Sequence, residues 1–137
     1  MQLEKIGRVG VFGLLLCCIS WVGCGSRALS EQDVVGTYEA KAQWGGSTLV
    51  LHPDHSFDQL VARNDHTQAN AKGTWKLNLF AGKSASSRII VLQQFLAIDH
   101  DHKGELGGWA APSISRGFLW GITIAADPDY GISFDKK

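Results

Sequence analysis

Two hydrophobic patterns divide the chain. Val9 to Val22 is an uncharged, largely apolar run centred on Phe12-Gly13-Leu14-Leu15-Leu16, whereas the sequence beyond Ser30 alternates in short stretches bounded by Gly, Pro, Asp and Ser. Period-two alternation places successive side chains on opposite faces of a strand. It is cleanest over Thr37–Trp44, where Tyr38, Ala40, Ala42 and Trp44 share one face and Thr37, Glu39, Lys41 and Gln43 the other. Further strands are expected over Thr48–Leu51, Ser56–Ala62 (Phe57, Gln59 and Val61 on one side), Lys72–Leu77, Arg88–Ile98, Trp109–Ser115 (bent at Pro112), Phe118–Ala125 and Tyr130–Phe134.

The punctuation supports this division. Ser30-Glu31-Gln32-Asp33 forms a capping box that opens one helical turn, and Gly36 ends it. Gly45-Gly46-Ser47, His52-Pro53-Asp54-His55 and Asp127-Pro128-Asp129 are turns, with His55 placed for a left-handed conformation. Arg63–Asn70, Asn78–Ser87 and Asp99–Gly108 are expected to be loops. Seven or eight short strands at this spacing, with no long helix, predict an all-β antiparallel sandwich or barrel.

Charge changes the picture little. The chain holds 13 Lys and Arg against 13 Asp and Glu. Setting aside Lys5, Arg8 and Glu4 leaves residues 24–137 one negative charge from neutrality. No basic cluster is available to neutralise a phosphate backbone, which argues against a nucleic-acid partner. Residues 24–137 suffice for one domain burying roughly two-thirds of its unfolded surface.

The apolar run is too short to span roughly 30 Å of hydrocarbon but suits the core of an export signal, with Lys5 and Arg8 before it and small residues after it. Trp21-Val22-Gly23-Cys24 resembles the lipobox of bacterial lipoproteins, with Trp21 where Leu is usual. The alternatives are a secretory signal cut near Ser26 and an uncleaved anchor. The resemblance implies a signal peptide over residues 1–23, acylation of Cys24, a tether over 24–32 and a β-domain over 33–137. Two or more acyl chains would hold the domain stably at a membrane. The implied location is the bacterial cell envelope. In a Gram-negative host it is the outer membrane, facing the periplasm, because Gly25-Ser26 lacks the Asp that signals inner-membrane retention. Cys17 and Cys18 would leave with the signal, so Cys24 would have no cysteine partner.

Val35-Gly36-Thr37-Tyr38-Glu39, Leu49-x-Leu51-x-Pro53-Asp54-x-Ser56-Phe57, Gly73-Thr74-Trp75 and Ile89–Leu92 resemble the strand order of small lipocalin-like domains, many of them in bacterial lipoproteins. The resemblance implies an antiparallel meander of seven to eight strands forming a small barrel or half-barrel. It leaves function open. Tyr38 stands where lipocalins proper carry Trp.

Candidate chemistry is sparse. No Gly-x-Ser-x-Gly elbow, P-loop or dinucleotide fingerprint occurs, and no carboxylate pair stands out, so no catalytic residue, enzyme activity or cofactor is assigned. Tyr38, Trp44, Phe57, Trp75 and Trp120, with Trp109 and Phe118, are candidates either to line a cup for a small apolar ligand or to fill a core. His100 and His102 project alike if Asp99-His100-Asp101-His102 is extended, which is workable spacing for two metal ligands. His52, Asp54, His55 and His66 could join them if their loops share one end of the barrel. The sequence therefore predicts a lipid-anchored binding or scaffolding domain, with an apolar-ligand carrier and a metal-binding domain as alternatives. Protein partners are not legible.

Overall fold

The computed structural model describes residues 28–79, 88–116 and 121–137. The signal segment, Cys24, Phe118 and Trp120 lie outside them. The described residues form a short helix α1 (Glu31–Val34) and eleven strands. These are β1 (Gly36–Ala42), β2 (Gly45–Leu51), β3 (Ser56–Arg63), β4 (Gln68–Leu79), β5 (Arg88–Gln93), β6 (Leu96–Ile98), β7 (Lys103–Leu106), β8 (Trp109–Ala110), β9 (Ser113–Arg116), β10 (Ile122–Asp127) and β11 (Ile132–Lys136). A 3₁₀ turn, Pro128–Tyr130, joins the last two.

Strands β1 to β5 pair in order, β5 continues to β9, and β9, β10 and β11 lead back to β1, always antiparallel. The result is a closed eight-stranded barrel, the full closure of the expected meander. Closure satisfies the edge groups that a half-barrel would leave exposed. β8 continues β9 along β5, across Ala111-Pro112, and the Pro112 carbonyl accepts from the Ile90 N–H at 3.0 Å. The bend expected at Pro112 is therefore present.

β4 is twelve residues long because it serves two neighbours: Gln68–Thr74 pair with β3, and Thr74–Leu79 pair with β5. The backbones crowd where it passes from one to the other. A Cβ at Gly73 would stand 1.9 Å from the Gln93 carbonyl oxygen and 2.8 Å from the Phe57 ring, so only glycine fits.

Four expectations are corrected. Gly45 and Gly46 begin β2, and the turn falls just before them, at Gln43-Trp44, which takes Trp44 out of the expected Thr37–Trp44 strand. Gln68–Asn70 belong to β4, because pairing with β3 overrides their polarity. The Arg88–Ile98 stretch breaks at Gln94, whose φ of 65° is left-handed and which separates β5 from β6. The polar Asp99–Gly108 segment contains β7, which pairs with β6 as an inserted hairpin.

One end of the barrel is closed by α1. Ser30 caps it, with its hydroxyl accepting from the Asp33 N–H while the Asp33 carboxylate accepts from the Ser30 N–H at 2.9 Å. Val34 and Leu29 are buried beneath it, and the Tyr38 hydroxyl donates to the Val34 carbonyl at 2.5 Å. Arg116 pairs with Asp33 at 3.1 Å, and Lys136 Nζ donates to the Asp33 carbonyl. Trp75 lies at this end, with its indole N–H donating to the His52 carbonyl at 3.0 Å.

The interior is one apolar cluster of inward-facing residues from the strands, including Tyr38, Leu49, Phe57, Val61, Trp75, Ile90, Leu92, Ile124 and Phe134. The β6–β7 hairpin adds Phe95, Leu96 and Ile98 to it. Phe95 meets Phe57 and Phe134 edge-on, at centroid separations of 6.4 and 6.2 Å.

Candidate functional site

The end opposite α1, here called the rim, is formed by the Gln43-Trp44 turn, the β3–β4 turn, the hairpin tip and the Pro128–Gly131 turn. Its framework is polar. The Asn64 side chain donates to the Gln43 carbonyl at 2.7 Å, and its backbone N–H donates to the Trp44 carbonyl at 2.9 Å.

Gln59 anchors the hairpin from inside. Alternation aims it inward between Phe57 and Val61, and the buried amide accepts from the Leu96 N–H at 2.8 Å and donates to the Leu96 carbonyl at 2.9 Å. A buried amide on an apolar face is costly unless paired, and this one satisfies both backbone groups of Leu96. Gly104 packs so closely on Val61 that a Cβ would stand 2.8 Å from its side chain. Arg63 Nε donates to the Lys103 carbonyl at 2.6 Å. The hairpin thus plugs the interior as part of the core.

The Asp99-His100-Asp101-His102 tip is a capped turn. Asp99 Oδ1 accepts from the N–H groups of Asp101 at 2.8 Å and His102 at 2.6 Å, and His102 Nδ1 lies 2.8 Å from Asp99 Oδ2. Hydrogen bonding to Asp99 and its charge raise the His102 pKa. Partial burial pushes Asp99 up, but hydrogen bonds from His102 and Asp101 outweigh it and bring the carboxyl below its ordinary value. The Trp44 indole N–H donates to the Asp99 carbonyl at 3.2 Å, tying the tip to the β1–β2 turn.

Asp127 makes the second tie. One carboxylate oxygen accepts from the His100 N–H at 3.1 Å and the other from the Tyr130 N–H at 3.4 Å. The two rings stack with centroids 4.2 Å apart and planes within 7° of parallel. Beside this pair an open cleft of about 1010 Å³ is lined by Lys41, Ala42, Gln43, Trp44, His100, Asp101, Lys103, Tyr130 and Ile132. Among the described residues, no carboxylate lies within ion-pair distance of Lys41 or Lys103, whereas Lys72, Arg116 and Lys137 are paired.

The sequence candidates separate across this geometry. Tyr38, Phe57 and Trp75 lie in the packed interior, Trp44 is half-buried at the rim, and Trp120 lies outside the described residues. Trp109, considered for the lining, is instead 70 % exposed at the hairpin base. The short β8 pairs with β5 through Gln93↔Trp109 without carrying that side chain inward.

His100 and His102 share the hairpin tip, but the tip is a turn, and each ring has its own partner: Tyr130 for one and Asp99 for the other. His66 is also at the rim, in the β3–β4 turn. The His52–His55 turn is at the opposite end, where His52 lies 2.8 Å from Asp58 and His55 lies 3.2 Å from Glu31. Among the described residues no group of three or more His, Cys, Asp or Glu side chains is placed to hold a metal ion.

Sequence reasoning missed Lys41, Lys103, Asp127 and Tyr130 as rim residues. Asp127 reads as turn punctuation and Tyr130 as the start of the last strand, whereas Tyr130 closes the 3₁₀ turn and that strand begins at Ile132. Nothing local tells that a hairpin inserted earlier in the chain will pack beside them. Gln59 did carry a signal, as a polar residue on an otherwise apolar face. Comparison of the chain with family models, with curated proteins and with solved structures gives no match.

Proposed function

We propose that this is a lipid-anchored envelope protein, attached through an acylated Cys24, whose barrel is a non-enzymatic binding domain that receives its ligand at the rim. One observation carries the rim reading. The aromatic side chains of the interior are packed against one another and against the inserted hairpin, while the large open cleft lies outside the plug, beside His100 and Tyr130. Such concave surfaces, with aromatic walls and a few polar groups, are the usual form of small-ligand sites. A carrier holding an apolar ligand inside the barrel would have to expel Phe95 and Leu96 and break both bonds between Gln59 and Leu96.

The anchor reading comes from Trp21-Val22-Gly23-Cys24. No helix among the described residues is long and apolar enough to cross a membrane. Mass spectrometry of membrane-extracted protein is expected to find an N-terminal Cys24 bearing acyl chains. Replacing Cys24→Ser is expected to release the protein from the membrane fraction with its thermal unfolding unchanged. A Cys24→Ser protein that stays membrane-bound would contradict the anchor.

A further inference from the structure

We infer that the rim cleft binds carbohydrate, with the His100–Tyr130 ring pair as the platform and Lys41, Gln43, Asp101 and Lys103 as the hydrogen-bonding groups. This rests on the rim reading above and names its ligand class. The first argument is the exposure of an ordered ring. Tyr130 is 62 % exposed in a domain that buries Tyr38, Phe57 and Trp75 almost completely. It is nevertheless held in place, because Asp127 grips the backbone N–H groups of both ring-bearing residues and the rings lie parallel. A fixed aromatic face costs little further ordering when a ligand arrives. Such a face is electron-rich, and the C–H bonds on the apolar side of a sugar ring present the complementary positive charge.

The second argument is the chemistry around the platform. The lining offers the ammonium donors of Lys41 and Lys103, the carboxylate acceptor of Asp101 and the amide of Gln43, which does both. Charges of both signs, with Asp99 and Asp127 close behind, favour neither an anion nor a cation. A hydroxyl donates and accepts, so a neutral polyol can pair with every one of these groups. An acyl chain would find only Ala42 and Ile132 as aliphatic partners. The cleft is open, so a chain of sugar units can pass across the rim without entering the plugged barrel.

The test is an NMR titration of full-length protein extracted in a phosphocholine detergent, which carries no sugar headgroup. The probes are the chitin tetrasaccharide, maltotetraose and, as the apolar control, decanoate. At least one oligosaccharide is expected to shift the His100 and Tyr130 amides and the Trp44 indole N–H saturably at up to about 10 mM. Tyr130→Ala should weaken that binding about tenfold, Tyr130→Phe should largely retain it, and Lys41→Gln with Lys103→Gln should weaken it with unfolding unchanged. Rim shifts with decanoate but with neither sugar overturn the carbohydrate assignment and leave the rim site standing. No rim shift with any of the three overturns both.

Discussion

At the two ends of this barrel the same residue types meet opposite fates. At the α1 end several aromatic and charged groups are tied up: Tyr38 donates to Val34, Trp75 to His52, and Asp33 holds Arg116 while its carbonyl receives Lys136, although the Nε atoms of Arg88 and Arg116 are buried without a hydrogen-bond partner among the described residues. At the rim, Tyr130 stands in solvent and Lys41 and Lys103 face a cleft without a carboxylate partner among the described residues. Buried groups that find a partner contribute to stability. Ordered groups left exposed at a concave surface are where a folded domain can bind something else. The difference separates residues that hold the fold from those proposed to meet a ligand, in a chain whose polar side chains otherwise look alike.

The comparison breaks most sharply on two aromatic substitutions. Trp75→Ala should destabilise the domain by about 3–5 kcal/mol, as deletion of a buried indole does. Tyr130→Ala should change stability by less than about 0.5 kcal/mol. Urea unfolding monitored by circular dichroism measures both, and equal losses would erase the distinction between the ends.

Gln59→Leu is next. It leaves the Leu96 N–H and carbonyl unpaired inside the barrel, at a cost of about 1–3 kcal/mol for each buried group. Hydrogen exchange should accelerate at Leu96 and its hairpin neighbours ahead of the β1–β2 amides. Uniform acceleration would mean that the hairpin is not a separate plug. At the other end, Ser30→Ala should cost about 1 kcal/mol through the lost cap.

The smallest effect is a contrast in pH. Asp33 is held down to about 2, first by the Ser30 N–H and hydroxyl and then by Arg116. Its folded pKa is below its unfolded value, so its contribution is present above 3.8 and lost as pH falls through about 2. His102 has the opposite sign: its folded pKa is raised above 6.5, so its bond to Asp99 contributes fully below 6.5 and is lost as pH rises through the raised value. Exchange at the hairpin tip should therefore quicken as pH rises above 6.5 and through that raised value, once the intrinsic base catalysis is corrected for. The α1 end should loosen only in strong acid. A hairpin tip whose corrected exchange is flat over that interval would remove His102 from the account.

The sequence carried the barrel far better than the rim. Alternation around Tyr38, Leu49, Phe57 and Trp75, the Ser30–Asp33 capping box and the left-handed His55 are local signals, and the structure contains each of them. The hairpin was hidden because Lys103–Leu106 has no apolar alternation. Its placement comes from Gln59 and Val61, roughly forty residues earlier, and from the freedom of Gln94 to take a positive φ. The His100–Tyr130 stack was hidden for the same reason: its two rings come together only after β10 and the hairpin tip share Asp127. Long-range pairing of this kind leaves no spacing to read.

The most direct test of a plugged barrel with its site at the rim is the indole ¹⁵N–H spectrum of Trp44 and Trp75 during titration with decanoate. The Trp75 signal should hold its position throughout, because Phe95 and Leu96 already occupy the space a ligand would need. A saturable shift of the Trp75 signal would mean that the ligand enters the interior, and would contradict the account.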